Sequence, residues 1–313
     1  MPTVFADPKT DFVFKRIFGV KERKPLLIAL LNDLLELWGE YRIQDLEYLP
    51  PEQHVAVPEL KLSIVDVKCV DAGGRRFVVE MQLAKVEGME KRIVYNASKA
   101  YVMQLKGGDS YPTLCDVVGV TICNFNLWPE PDSPGAPKVP MLSRWKMQEQ
   151  HSGSPGLPQV QYVFVELPKY SAGDNPQSLV DKWAYFFREA RSWDHIPPGL
   201  MEAPFRDALE VAKSANFSAE EWEVYERAKM AEQDARGMLT VARREGREMG
   251  LREGRQEGRQ EGLIKSLLKI LKLRGLVLEG EALARIEGCK SEELLEIWME
   301  KALGISKVEE LWG

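Results

Sequence analysis

The pattern of apolar and polar positions divides the chain into a mixed first half and a helical second half. Phe14, Ile17 and Phe18 have helical spacing and indicate a first helix. The pattern then predicts a nearly all-apolar helix at 25–37 and three strands at 41–49, 63–70 and 76–83. A longer helix at 88–106 and two more strands at 113–125 and 159–167 follow. The Pro-, Gly- and Ser-rich segment 129–158 is predicted to be a loop. This order predicts an α/β domain in which helices cover both faces of a mixed sheet.

The second half carries helical patterns throughout and predicts a helical C-terminal region. Its most regular part is an Arg/Glu/Gly tract at 243–262, in which glycine recurs every four residues. Glycine disfavours a helix, so the tract is predicted to be a charged, semi-rigid connector that is helical when supported. The expected organisation is a sheet-containing domain at 1–172 and a helical extension at 173–235. A connector at 236–262 and a small helical module at 263–313 are expected to follow.

Composition narrows the class of protein. A chain of 313 residues, 44% hydrophobic and 29% charged, can bury one sizeable core and still carry an appended module. The sequence predicts no signal peptide and no membrane span. Cysteines inside apolar runs, with no metal-binding spacing, fit a reducing environment and predict a cytoplasmic protein.

Charge is distributed unevenly along the chain. The formal net charge is −6, but residues 236–274 contain eleven Lys or Arg and five Glu. An acidic total disfavours a protein coated in nucleic-acid-binding surface, although it leaves room for a local basic site.

Two carboxylates stand in the middle of the predicted hairpin formed by 63–70 and 76–83. A turn centred near Gly73 sets Asp66 opposite Glu80, and like charges directly opposite each other destabilise a strand pair. A bound cation would relieve that repulsion, and a divalent metal ion is the simplest candidate. The alternative is a pair of carboxylates on an open hairpin face.

Further polar residues are expected on the same side as these carboxylates. Strand alternation puts Lys68 and Gln82 there. The helix that follows carries a polar face made of Arg92, Tyr95, Asn96 and Lys99. The alternative for each of these residues is an ordinary solvated side chain with no role beside the carboxylates.

The spacing from Asp66 to Glu80-Met81-Gln82 resembles the core motif of PD-(D/E)xK nucleases. The resemblance implies that Asp66 and Glu80 bind a metal ion, with the backbone carbonyl of Met81 as a further ligand. Mg²⁺, or Mn²⁺ in its place, suits oxygen ligands of this kind. Such an ion would activate water and neutralise charge on the scissile phosphate.

Gln82 departs from that motif, which usually ends in lysine. Glutamine can position a water molecule or a phosphate oxygen, but it brings no positive charge. Lys68, Arg92 and Lys99 are the candidates to supply the charge, and the sequence leaves the choice among them open.

The likeness extends beyond the hairpin and resembles the recombination-promoting nuclease and putative transposase family of this superfamily. The matching blocks are at 9–19, 31–35, 64–68, 79–82, 91–99, 104–111 and 166–169. The resemblance implies a restriction-endonuclease-like fold and a Mg²⁺-dependent DNA endonuclease linked to recombination or mobile elements. The VEMQ form of the motif is similar to that of the family, so Gln82 need not mark an inactive enzyme.

Other roles remain open in the sequence. Lys9 and Lys15 are candidate DNA contacts or surface ion-pair partners, and Asp33 is a candidate metal-assisting carboxylate or a structural residue. DNA is the expected partner, and the C-terminal helices are candidates for a homodimer contact. The rival hypothesis is a non-catalytic nucleic-acid-binding or assembly protein that keeps the fold.

Overall fold

The computed structural model describes residues 3–53, 63–131, 133, 135–276, 278 and 280–312. The helices, in chain order, are α1 (Asp11–Phe18), α2 (Lys24–Leu34), α3 (Met89–Val102), α4 (Leu179–Glu189), α5 (Phe205–Ala212), α6 (Ala219–Leu273), α7 (Gly280–Glu287) and α8 (Glu292–Ala302). The strands are β1 (Leu46–Leu49), β2 (Glu52–Gln53), β3 (Ser63–Ile64), β4 (Val67–Asp71), β5 (Arg76–Gln82), β6 (Val117–Cys123), β7 (Leu142–Gln148) and β8 (Pro155–Glu166). The chain forms two compact units, Met1–Met230 and Ala231–Gly313.

A six-stranded mixed sheet with the order β1-β4-β5-β6-β8-β7 forms the centre of the first unit. The pairs β5–β6 and β6–β8 are parallel, and the outer pairs β1–β4, β4–β5 and β7–β8 are antiparallel. A parallel pair needs a crossover connection, and α3 lies in the connection between β5 and β6. The predicted mixed α/β fold is confirmed.

One face of the sheet packs on α1, α2, α4 and α5. Their apolar side chains share one core with alternate residues of the strands, among them Val67, Val79 and Val120. Trp183 of α4 is buried in this core and donates a hydrogen bond from Nε1 to Oδ2 of Asp33, over 2.8 Å. Helices α4 and α5 therefore belong to the same core as the sheet.

The opposite face of the sheet is covered by α3. Ala97 and Ala100 pack on Val78 and Val117, and Met89 and Ile93 pack in a neighbouring cluster. The helix lies close to β6, because a Cβ atom at Gly119 would come within 3.7 Å of the Cβ of Ala97. This close approach sets the polar residues of α3 against the middle of β5.

The first turns of α6 pack against the N-terminal segment. The ring of Phe12 lies edge-on to that of Phe217 at 5.5 Å, and Arg16 forms an ion pair with Glu221. The hydroxyl of Tyr225 accepts a hydrogen bond from the backbone N–H of Asp7 over 3.2 Å. Helix α1 is thus held between the main core and the start of α6.

Two features of the sheet differ from the prediction. The expected strand 63–70 is broken at Val65 and Asp66, so that β3 pairs with β2 in a separate two-stranded sheet and β4 begins at Val67. The loop predicted at 129–158 contains β7, an edge strand whose residues beyond Ser143 are exposed. Exposure on both sides removes the periodic apolar signal that would mark it as a strand.

The second unit has a small core of its own, in which Leu267 and Leu271 of α6 pack with Ile286 of α7 and Trp298 of α8. Arg259 adds ion pairs to two glutamates of α8, at 2.8 and 3.2 Å. The Arg/Glu/Gly tract lies inside α6. Among the described residues, no helix has an apolar stretch long enough to cross a membrane.

Candidate active site

Asp66 lies at the bend just before β4, against the middle of β5. Val67 pairs with Val79, so the next position in this register sets Asp66 across from Glu80, as the sequence predicted. Asp66 accepts a hydrogen bond through Oδ2 from the backbone N–H of Met81, over 2.7 Å. This bond fixes the carboxylate against β5 although the residue is outside the strand.

Glu80 is buried, with 5% of its surface exposed, and each of its carboxylate oxygens accepts a hydrogen bond. Nδ2 of Asn96 donates to Oε1 over 2.7 Å, and Nε2 of Gln82 donates to Oε2 over 2.7 Å. Because one donor comes from α3 and the other from β5, the two elements together fix the orientation of this carboxylate. The sequence grouped Asn96 with the polar face of α3 but gave no reason to assign it a contact to Glu80.

Gln82 connects Glu80 to Arg92. Its Oε1 accepts a hydrogen bond from Nη2 of Arg92 over 2.5 Å, while its Nε2 donates to Glu80. Nη2 of Arg92 lies 3.9 Å from Oε2 of Glu80, which is too long for a hydrogen bond. Two hydrogen bonds therefore connect the Glu80 carboxylate, the Gln82 amide and the Arg92 guanidinium in a row.

Burial disfavours the charged form of both carboxylates. Desolvation, with a further contribution from the charge of Glu80, raises the pKa of Asp66 to about 7, and the hydrogen bond from Met81 opposes that rise. Burial also raises the pKa of Glu80, opposed by Asn96, Arg92 and Gln82. Strongly perturbed carboxylates that face one another are more common at functional sites than elsewhere.

An open cleft of about 880 Å³ gives solvent access to these carboxylates. Its walls come from the segment around Asp66, the end of β5, the loop that follows and the first turns of α3. The lining residues are Ser63, Ile64, Asp66, Glu80, Met81, Gln82, Val86, Glu87, Gly88, Lys91, Arg92, Tyr95 and Asn96. The cleft thus brings together Asp66, Glu80, Met81, Gln82, Arg92 and Tyr95 of the predicted set.

Lys68 and Lys99 do not line this cleft. They are 5% and 4% exposed, and the electrostatic neighbours of Lys68 are the cations Arg76 and Lys99. Burial, followed by these like charges, lowers the pKa of Lys68, and burial lowers that of Lys99. Nζ of Lys99 lies 5.5 Å from the ring centroid of Tyr95.

The N-terminal candidates differ in their surroundings. Lys9 is buried, and its Nζ contacts Oδ1 of Asp7 and the carbonyl oxygen of Phe187, each at 2.9 Å, so both contacts are internal. Lys15 is partly exposed and pairs with Asp11 at 2.7 Å. The charges of Asp11 and Lys15 also act on the pKa of Asp66, which places the start of α1 towards the carboxylates.

Asp33 lies on α2 and is bound to the core by Trp183. Burial raises its pKa, and the bond from Trp183 opposes that rise. It is absent from the residues that line the cleft.

The donor set of the cleft fits a small oxygen-preferring cation. Asp66 and Glu80 supply carboxylate oxygens next to the backbone of Met81, and Mg²⁺ is commonly held by one or two carboxylates while it keeps several waters. In the part of the chain that the structure describes, no group of three or more His, Cys, Asp or Glu side chains could hold a metal ion. A site here would therefore depend on two carboxylates, backbone and water.

A mixed sheet with helices on both faces and two converging carboxylates at a hairpin defines a restriction-endonuclease-like fold. Residues 8–242 match the model of the PD-(D/E)XK nuclease family transposases, and the chain belongs to this family. Comparisons of the chain with curated proteins and with solved structures found no match.

Proposed function

We propose that the protein is a divalent-metal-dependent DNA endonuclease that hydrolyses phosphodiester bonds at the cleft beside β5. One observation carries the proposal: two carboxylates, Asp66 and Glu80, converge below an open cleft, and burial raises the pKa of both. Burying two such groups together is unfavourable for folding alone. Membership of a nuclease family supports the same interpretation.

Asp66 and Glu80, with the carbonyl of Met81, would hold Mg²⁺ or Mn²⁺. When bound, the ion lowers the pKa of water and stabilises negative charge on phosphate. Gln82 and Asn96 orient Glu80 through its two oxygens, and the Met81 N–H orients Asp66. Because these donors are already in position, little reorganisation is needed when a ligand enters the cleft.

The cleft also carries side chains that can contact nucleic acid. Lys91 and Arg92 line it and carry positive charge, and Tyr95 lines it with an aromatic ring, 36% exposed. Cations suit phosphates, and an aromatic face suits a base. DNA is therefore the proposed substrate, with a role in recombination or mobile-element transfer suggested by the family.

Plasmid nicking tests the proposal. The wild type should nick supercoiled DNA with Mg²⁺ or Mn²⁺ and lose this activity in EDTA. Asp66→Asn and Glu80→Ala should abolish nicking while circular dichroism shows that both variants fold. Asp45→Asn is the matched control, because Asp45 is an exposed carboxylate paired with Lys24 outside the cleft.

A wild type that binds DNA but leaves it intact under all these conditions would overturn the nuclease assignment. That outcome would favour the non-catalytic nucleic-acid-binding alternative.

A self-contact through the C-terminal helices is a separate proposal, supported by two exposed apolar residues on α8, Leu294 and Ile297. Sedimentation of the wild type and of Leu294→Lys tests it.

A further inference from the structure

The proposed site has a neutral residue, Gln82, where the PD-(D/E)xK motif of the wider superfamily usually has a lysine. A phosphodiester gains negative charge in the transition state, and a positive group directed at it lowers the barrier. Gln82 cannot supply that charge itself. If the protein is the nuclease proposed above, another side chain must supply the positive charge.

The amide of Gln82 has a fixed orientation. Its NH₂ group donates to the Glu80 carboxylate at 2.7 Å, and its oxygen accepts from the Arg92 guanidinium at 2.5 Å. Reversing the amide would place an acceptor against the carboxylate and a donor against the guanidinium, so neither bond would survive. Gln82 therefore keeps Arg92 at a set place beside Glu80.

Arg92 keeps donors available for a ligand. In the described parts of the chain, its contacts to Gln82, Met89 and Glu80 all involve Nη2. Nε and Nη1 make none of these contacts, and 46% of the side chain is exposed, on the wall of the cleft. A guanidinium whose Nε and Nη1 are not used in these contacts still has N–H groups that can donate to a phosphate oxygen.

The other cations are less well placed. Lys68 and Lys99 are buried outside the cleft lining, and the charges that act on Lys68 are positive. Lys91 lines the cleft, but no hydrogen bond or ion pair joins it to the carboxylates within the described structure. Arg92 is connected to Glu80 through the hydrogen-bonded side chain of Gln82.

We infer that Arg92 is the catalytic cation that binds the scissile phosphate, and that Gln82 is the positioning residue that aims it. The two residues together replace the single lysine of the usual motif. The positive charge comes from Arg92 on α3. The Gln82 amide on β5 holds that charge beside Glu80 through its two hydrogen bonds. The substitution Gln82→Lys should therefore remove the need for Arg92.

The experiment measures single-turnover nicking, at saturating Mn²⁺, by the wild type and by Arg92→Gln, Gln82→Lys and the double variant Arg92→Gln/Gln82→Lys. Loss of one positioned transition-state donor costs on the order of 10²- to 10³-fold in rate. Arg92→Gln should show a loss of about that size with little change in DNA affinity. The double variant should recover at least about tenfold of it. Arg206→Gln, with a side chain 54% exposed on α5, is the matched control and should nick like the wild type.

Three outcomes overturn the inference. Arg92→Gln that nicks at the wild-type rate shows that the charge is not needed. Arg92→Gln that loses only DNA affinity marks Arg92 as a general phosphate contact. A folded double variant no faster than Arg92→Gln shows that the two positions do not share one role. In each case an active wild type and an inactive Asp66→Asn leave the nuclease function intact, whereas an inactive wild type overturns both.

Discussion

Asn96 donates a hydrogen bond from Nδ2 to Oε1 of Glu80 over 2.7 Å, and both side chains are buried. This bond connects the helix after the hairpin to the proposed metal ligand. Partners that orient metal ligands in this way typically affect metal affinity by 10- to 100-fold, as an order of magnitude.

Asn96→Ala should therefore weaken metal binding by roughly 10- to 100-fold, because Glu80 loses the donor that orients it. The measurement is the Mn²⁺ concentration that gives half-maximal nicking, supported by calorimetric titration of Mn²⁺. Ser98→Ala is a suitable control on an exposed position of the same helix. An unchanged Mn²⁺ requirement in Asn96→Ala would contradict the assigned role.

Asp66 should destabilise the metal-free protein above neutral pH. Its pKa rises from 3.8 in its ordinary state to about 7 in the fold, so the folded protein keeps a proton that the unfolded chain releases. Stability from this group is present below pH 4 and is lost as the pH rises towards 7. Each pH unit is worth about 1.4 kcal/mol, so the loss is at most about 4 kcal/mol.

Asp66→Asn removes that titration and keeps an acceptor for the Met81 N–H. The variant should be more stable than the wild type in EDTA at pH 8, with the difference shrinking as the pH falls from 7 to 4. Urea unfolding at several pH values measures it. A difference that is constant across this range would show that Asp66 has an ordinary pKa.

Metal binding should reduce this difference in stability between the wild type and Asp66→Asn. An ion bound to the folded state at 100 times its Kd adds about 2.7 kcal/mol of stability. Mg²⁺ or Mn²⁺ should thus raise the Tm of the wild type and leave that of Asp66→Asn nearly unchanged. Equal shifts in the two proteins would place the ion elsewhere.

Asp33 should matter for stability and leave cleavage unaffected. Asp33→Ala leaves the indole N–H of the buried Trp183 without its acceptor, which costs about 1–3 kcal/mol. Thermal unfolding measures this loss. Nicking at a temperature where the variant stays folded should match the wild type, and a clear loss of nicking there would restore Asp33 as a metal-assisting residue.

Alanine substitution should change stability in opposite directions at the glycines of α6 and at a turn glycine. A Cβ atom at Gly250 or Gly254 would meet nothing within 4 Å, so alanine at each should stabilise the helix by about 0.5–1 kcal/mol. Gly74 has φ +86° and its Cβ would lie 2.5 Å from Sγ of Cys115, so Gly74→Ala should destabilise. Circular dichroism during thermal unfolding distinguishes the two, and a loss of helix stability in Gly250→Ala would contradict the open environment.

Local patterns were sufficient to predict the facing carboxylates. A short turn fixes the register of a hairpin, and the register fixes which side chains share a face, so Asp66 and Glu80 followed from spacing alone. The same pattern could not predict the break before β4, because β3 pairs with Glu52–Gln53 of β2, which lies outside the hairpin pattern.

The contacts between elements were beyond the sequence patterns. Helical periodicity grouped Arg92 and Asn96 on one face, but only the packing of α3 on Gly119 decides which strand residues they contact. The strand β7 was missed because an exposed edge strand carries little apolar periodicity. The tract at 243–262, predicted to be a connector that is helical when supported, lies within one long helix.

The contacts between α1 and the start of α6 set the length of the smallest fragment that should fold. Phe12 and Arg16 depend on Phe217 and Glu221 for their packing and pairing, and the backbone of Asp7 depends on Tyr225. A chain truncated at residue 172 would lose those partners together with Trp183, and would expose the apolar side of α1. A stop codon placed after Met230 keeps all of these partners, so a fragment that ends there should stay folded.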